Sequence, residues 1–153
     1  MADPCRAVEQ LLYIYAERID AGDFRGVSEL FARGWIAGPD GNVIARGSDE
    51  VRGLYESSTR LYECGTPCTQ HMTTNAIIEL DPTGLAASGR SRFTVFQCLP
   101  DFPLQAIISG RYADRFECID GQWGFSERRM QVEFSGDLSR HLLIELPNST
   151  HET

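Results

Sequence analysis

Apolar residues recur at helical spacing through the first third of the chain and at every second position through most of the rest. Val8, Leu11, Leu12, Tyr15 and Ile19 fall three, four, seven and eleven residues from the first of them, which predicts an amphipathic helix over residues 4–21. Asp3-Pro4 supplies an N-cap followed by a proline suited to the first helical position, and Gly22 is a C-terminal stop. Asp23 can cap a second, short helix with Phe24, Val27, Leu30 and Phe31 on its inner face, ending near Gly34. Segment 35–47, WIAGPDGNVIARG, reads as a short strand, a Pro-Asp-Gly turn and another short strand. Ser48 can cap a third helix with the stripe Val51, Leu54, Tyr55, Ser58, Leu61 and Tyr62, closed by Gly65 and Pro67.

From residue 69 the period becomes two. Thr69–Leu80, Leu85–Leu99, Gln105–Ile119 and Gln122–Phe134 are long strand candidates, separated by Asp81-Pro82-Thr83-Gly84, Pro100-Asp101-Phe102-Pro103 and the hairpin dipeptide Asp120-Gly121. Connections this short make consecutive strands antiparallel. Helices first and a meander afterwards predict an α+β fold. The sheet must cover its own apolar face, and curling around the helices would do so, leaving a concave side that can hold a ligand. Residues 1–153 read as one domain, with 135–153 as a loosely attached tail carrying His141 and His151 in solvent.

Composition narrows the chemistry. With 153 residues, 42% hydrophobic and 24% charged, the chain is in the globular range. Its formal charge of −8 makes nucleic acid and anionic membranes poor partners, since both need a cationic footprint. No apolar run approaches the roughly 18–20 residues of a membrane span. The N-terminus shows no basic-then-apolar leader, so a cytoplasmic protein is expected. All 14 basic residues are arginine, which excludes a lysine Schiff base, a lysine general base and a P-loop. The five cysteines read as reduced, small apolar residues. Cys64, Cys68 and His71 offer three of the four ligands that structural zinc wants, with no obvious fourth, so no metal and no cofactor is expected.

Several stretches resemble one family. Tyr15-Ala-Glu-Arg-Ile-Asp20-Ala-Gly-Asp23-Phe24 followed by Glu29-Leu-Phe31, then Thr69-Gln70-His71, then Gly110-Arg111-Tyr112 with Asp114 and Phe116, and Asp120-Gly121 with Trp123, Phe125 and Arg128, are similar to the SnoaL-like/NTF2-like superfamily. So is Gly136-Asp137-Leu138-Ser139 with His141-Leu142. The resemblance implies a cone-shaped barrel: a curved, mostly antiparallel sheet roofed by three N-terminal helices. The superfamily hosts dehydratases, isomerases, cyclases and non-catalytic proteins. Within it the scytalone dehydratases, which need no cofactor, use a helical aspartate to orient a catalytic histidine, and these positions match Asp20 and His71. Their second pocket histidine is replaced by Gln97, and a tyrosine beside the aspartate by Ile19. The oxyanion-binding tyrosine of ketosteroid isomerases matches Tyr15, while their catalytic aspartate falls near Gly38-Pro39, where no carboxylate stands except the displaced Asp40.

The pair has a physical logic. Asp20 lies at the edge of the buried helical stripe, where a carboxylate needs a partner. A histidine at the mouth of the adjacent strand supplies one, and the hydrogen bond fixes its tautomer and leaves the other ring nitrogen free for proton transfer. By alternation His71, Thr73, Asn75 and Ile77 share a strand face, and Tyr15, Tyr55, Gln97 and Tyr112 are further polar-tipped residues to place around the cavity. Blander readings stand beside these. Asp20 can bond its own Gly22–Asp23 turn, His71 can be a satisfied structural group, Tyr55 and Tyr62 can be packing, and Arg111 and Arg128 can pair with acidic residues on neighbouring strands. The reading is an acid–base dehydratase, cyclase or isomerase acting on a small hydrophobic oxygenated molecule, with His71 and Asp20 catalytic and Tyr15, Tyr55, Asn75, Gln97 and Tyr112 binding substrate. The rival is a non-catalytic small-molecule-binding or subunit-type protein. Either is expected as a homo-oligomer, a dimer or trimer.

Overall fold

A computed structural model of the chain, describing residues 2–146, places three helices ahead of and across a six-stranded sheet. Helix α1 (Pro4–Asp20) starts where the Asp3 carboxylate accepts from the Cys5 N–H at 3.0 Å. It buries Val8, Leu12, Tyr15, Ala16 and Ile19 on one side. Helix α2 (Phe24–Glu29) is capped by Asp23, which accepts from Gly26 N–H at 2.8 Å. Strands β1 (Trp35–Ala37) and β2 (Val43–Arg46) form a short hairpin.

Helix α3 (Gly47–Ser58) departs from expectation at both ends. Arg46 rather than Ser48 occupies the cap, with the Glu50 carboxylate reaching back to its N–H at 2.6 Å. The helix stops at Ser58 instead of running on to Tyr62, because Thr59 turns extended and pairs with Leu142 far along the chain.

The meander is β3 (Thr69–Leu80), β4 (Ala86–Leu99), β5 (Phe102–Ile119) and β6 (Gln122–Ser135). The sheet order is β2-β1-β6-β5-β4-β3, antiparallel throughout except for the parallel β1–β6 pair. Asp120 and Gly121 both take positive φ, 52° and 78°, as a two-residue hairpin turn requires. The sheet curves over α1. Phe93, Val95, Tyr112, Phe116 and Phe125 face the helices and pack with Phe31, whose ring stacks on Phe125 at 4.8 Å. No helix among the described residues is long and apolar enough to cross a membrane.

Two local features redirect the expected pattern. Asn75 has φ 55°, and the β3–β4 register shifts between Thr74 and Ile77. This bulge resets the alternation, so Ala76 and Ile78 follow His71 and Thr73 on the inner face while Asn75 and Ile77 turn outward. After β6 the chain returns to the body. Leu142 joins Thr59, Leu143 N–H donates to Ser58 O at 2.9 Å, and Arg60 N–H donates to His141 O at 2.8 Å. The loose attachment expected from residue 135 onward therefore does not describe residues 136–143. His151 lies outside the described residues.

Candidate functional site

Asp20 is the last residue of α1, where the helix dipole disfavours a carboxylate and no local donor satisfies it. Strand β3 supplies the donors. Thr69 Oγ1 donates to Asp20 Oδ1 at 2.9 Å, and His71 N–H donates to Oδ2 at 2.8 Å. His71 Nδ1 stands 2.6 Å from Oδ1. An ionised carboxylate only accepts, so Nδ1 is the donor in this bond, and in the neutral ring the lone pair lies on Nε2. One acidic group thus fixes both the backbone and the ring of His71. The His71 side chain is 9% exposed and that of Asp20 22%.

A third group joins them that the sequence reading assigned to solvent. His141 is buried at 7% exposure, and its Nδ1 has no hydrogen-bond partner. Burial pushes its pKa down to about 4, the nearby His71 adds to that shift, and Asp20 partly opposes it. The imidazole is therefore neutral near pH 7. A single helical turn carries it, with His141 N–H and Leu142 N–H both donating to Leu138 O at 3.1 and 3.0 Å. That turn is tied down by Gln97 Nε2 and Tyr62 Oη, which both donate to Arg140 O. The polar run Ser135-Gly136-Asp137 disguises it in sequence. Two signals remain: the apolar pair Leu138 and Leu142 flanking His141 at helical spacing, and the likeness of Gly136–Leu142 to the superfamily.

Gln97 is 1% exposed, and its amide nitrogen is shared between Pro67 O and Arg140 O, each at 3.1 Å. Its Oε1 has no partner. Tyr15, Tyr55 and Tyr112 are brought together inside the barrel. The Tyr15 and Tyr55 hydroxyls are hydrogen-bonded, and the Tyr15 ring meets Tyr112 edge-on at 6.1 Å. Burial raises the pKa of all three, so they keep their protons and can donate.

Beside them Arg128 forms a bidentate pair with Asp114, at 2.8 and 2.9 Å, and its guanidinium lies 3.6 Å from the Tyr112 ring centre. Burial opposes the Arg128 charge, but Asp114 more than compensates and holds it protonated. The same burial drives the Asp114 carboxyl up while Arg128 pulls it back. Arg111 pairs outside the barrel with Glu133 at 2.8 Å.

Asn75 is not part of this constellation. The bulge sends it to the outer face, where it lines a hollow of about 540 Å³ with Ile77, Arg90, Arg92, Arg111 and Arg129. The concave interior, expected to hold a ligand, is occupied by Tyr15, Tyr55, Tyr112 and Phe93. Among the described residues, no group of three or more His, Cys, Asp and Glu is placed to hold a metal ion.

The sequence profile of the SnoaL-like domain matches residues 3–129. No curated protein matches the chain. Among solved structures, the chain is similar to a variant of Rv3472, a function-unknown protein from Mycobacterium tuberculosis. The two are 28% identical over 84% of this chain and 70% of the other, with a TM-score of 0.68. A candidate scytalone dehydratase from Novosphingobium aromaticivorans is 23% identical over 86% and 85% of the two chains, also with a TM-score of 0.68. A function-unknown protein with a cystatin-like fold from Nostoc punctiforme is 22% identical over 84% and 90%, with a TM-score of 0.66.

Proposed function

The chain belongs to the SnoaL-like domain family, and from that premise we propose that it is a cofactor-independent acid–base enzyme acting on a small, hydrophobic, oxygenated molecule by dehydration, cyclisation or isomerisation. The observation that carries this reading is the Asp20 carboxylate taking hydrogen bonds from Thr69 Oγ1, His71 N–H and the His71 ring. The clamp engages Nδ1 and leaves Nε2 as the ring nitrogen for proton transfer. In a dehydration, Nε2 takes a proton from the carbon beside a carbonyl, the C–H electron pair becomes the new double bond, and the hydroxyl leaves as water with a returned proton. Asp20 balances the positive charge that the ring carries between the two transfers.

His141, neutral and with Nδ1 unpartnered, offers a hydrogen bond to a substrate oxygen beside His71. Tyr15, Tyr55, Tyr112 and the Oε1 of Gln97 supply further polar contacts. The name of the Novosphingobium relative makes dehydration the first reaction to assay. At 23% identity that protein shares the fold, and the weight rests on the clamp.

A second reading has one observation in its favour: the same hydrogen bonds also fasten α1 to β3, as a purely structural clasp in a ligand carrier would. The two readings separate on β-hydroxy carbonyl compounds, whose elimination yields a conjugated product seen by ultraviolet absorbance. For an enzyme, His71→Ala and Asp20→Asn each lower turnover about 10²–10⁴-fold, with binding changed only a few-fold. The double variant is little worse than either single one, because the residues act as a unit. A ligand bound tightly, recovered unchanged after long incubation and held equally by both variants would establish the carrier reading instead.

A further inference from the structure

The loop between α3 and β3 carries chemistry that the interior site does not use. Gly65 N–H donates to Tyr62 O at 2.8 Å and Tyr62 N–H to Thr66 O at 2.9 Å, and Gly65 and Cys68 take φ 81° and 55°. The chain therefore doubles back, and the Cys64 and Cys68 sulfurs stand 3.8 Å apart. Thr66 Oγ1 sits against both, 3.1 Å from Cys64 Sγ and 3.9 Å from Cys68 Sγ. Cys64 is exposed and Cys68 half-buried.

We propose that Cys64 and Cys68 form a redox-active dithiol that takes a low-molecular-weight disulfide as its substrate and closes to an intramolecular disulfide. Cys64, as thiolate, attacks one sulfur of the small disulfide, forming a mixed disulfide and expelling one small thiolate. Cys68 then loses its proton and attacks Cys64 Sγ, expelling the second. Two protein thiols are oxidised, the small disulfide is reduced to two thiols, and the two protons leave with them.

The roles follow from the surroundings. The Thr66 hydroxyl and carbonyl and the Cys68 thiol lower the pKa of the Cys64 thiol, while burial raises that of Cys68. The attacking thiol needs access and thiolate character, and the resolving one needs only reach. An S–S bond is about 2.05 Å, so the sulfurs must close by roughly 1.8 Å, a change that side-chain rotation in an exposed turn can supply. The loop abuts the interior site, since Cys68 directly precedes Thr69, which donates to Asp20. The dithiol itself does not depend on what that site does.

The test uses the full chain and oxidised glutathione. Because every basic residue is arginine, trypsin cuts after Arg60 and Arg90 and isolates Cys64 and Cys68 on one peptide, while Cys98 falls on another. After incubation and alkylation of remaining thiols, peptide 61–90 should carry an internal disulfide. Cys68→Ser should accumulate a glutathione adduct at Cys64, and Cys64→Ser should give neither disulfide nor a prompt adduct at Cys68. In the unmodified chain, iodoacetamide should label Cys64 at least tenfold faster than Cys98, which is also exposed. A doubly glutathionylated 61–90 peptide, a disulfide to Cys98, or labelling of Cys64 no faster than Cys98 would overturn the proposal.

Discussion

Arg128 holds its charge at the centre of the barrel, 0% exposed, with Asp114 on the adjacent strand as its counter-ion and the rings of Tyr112 and Tyr15 on its faces. Pairing with an acidic neighbour was one reading open from sequence, for Arg128 as for Arg111. Burial separates the two in energy. The Arg111–Glu133 pair lies at the surface, where water screens it and its loss costs little. Asp114→Asn instead leaves a buried guanidinium without its counter-charge, and Arg128 Nη1 already has no hydrogen-bond partner. That substitution should cost about 3–5 kcal/mol in urea unfolding at pH 7. A loss below 1 kcal/mol would mean that water reaches the pair.

At the scale of elements, the turn at 136–143 and strand β4 are linked through a single amide. Gln97 sends its two N–H groups to Pro67 O, just before β3, and to Arg140 O, beside His141. The residue therefore ties together the loop that leads to His71 and the turn that supplies His141. Gln97→Leu keeps the volume and removes both donors. Hydrogen exchange should then quicken at the amides of Arg60 and Leu143, which bond across this junction, and stay unchanged in the middle of β5. Equal protection in both proteins would show that the Thr59–Leu142 pairing holds the turn without Gln97.

The stability of the whole molecule should carry the signature of the buried His141. In the folded chain its pKa lies at about 4, against 6.5 for a free imidazole. Between those values the unfolded chain binds a proton that the folded chain does not. Stability is therefore lost as pH falls from about 6.5 to about 4, by an amount on the order of 3 kcal/mol. His141→Gln removes this contribution, so the difference between the two proteins in denaturant midpoint should narrow across that window. Carboxylates titrating in the same range act on both proteins and cancel. Parallel curves from pH 7 to pH 4 would place His141 in solvent.

Sequence by itself determined what short-range physics determines. The apolar period of α1, the Asp3 and Asp23 caps, the Asp120-Gly121 turn and the two-residue alternation of β4 and β5 each follow from a few neighbouring residues, and together they fix an α+β meander. Asp20 and His71 could be singled out together because both match the aspartate and histidine positions of the family the chain resembles, and a carboxylate at the edge of a buried helical stripe needs a partner. Tertiary structure alone decided the rest. The bulge at Asn75 depends on β3 keeping register with β4, so alternation extrapolated from His71 placed Asn75 on the wrong face. The end of α3 at Ser58 depends on Leu142, 84 residues away, pairing with Thr59. His141 became a buried neighbour of His71 through bonds from Arg60, Tyr62 and Gln97, partners 44 or more residues distant whose joint effect no local pattern encodes. Periodicity reports which face a residue takes while its element stays regular, whereas bulges, helix ends and docked turns are set by contacts between segments far apart in the chain.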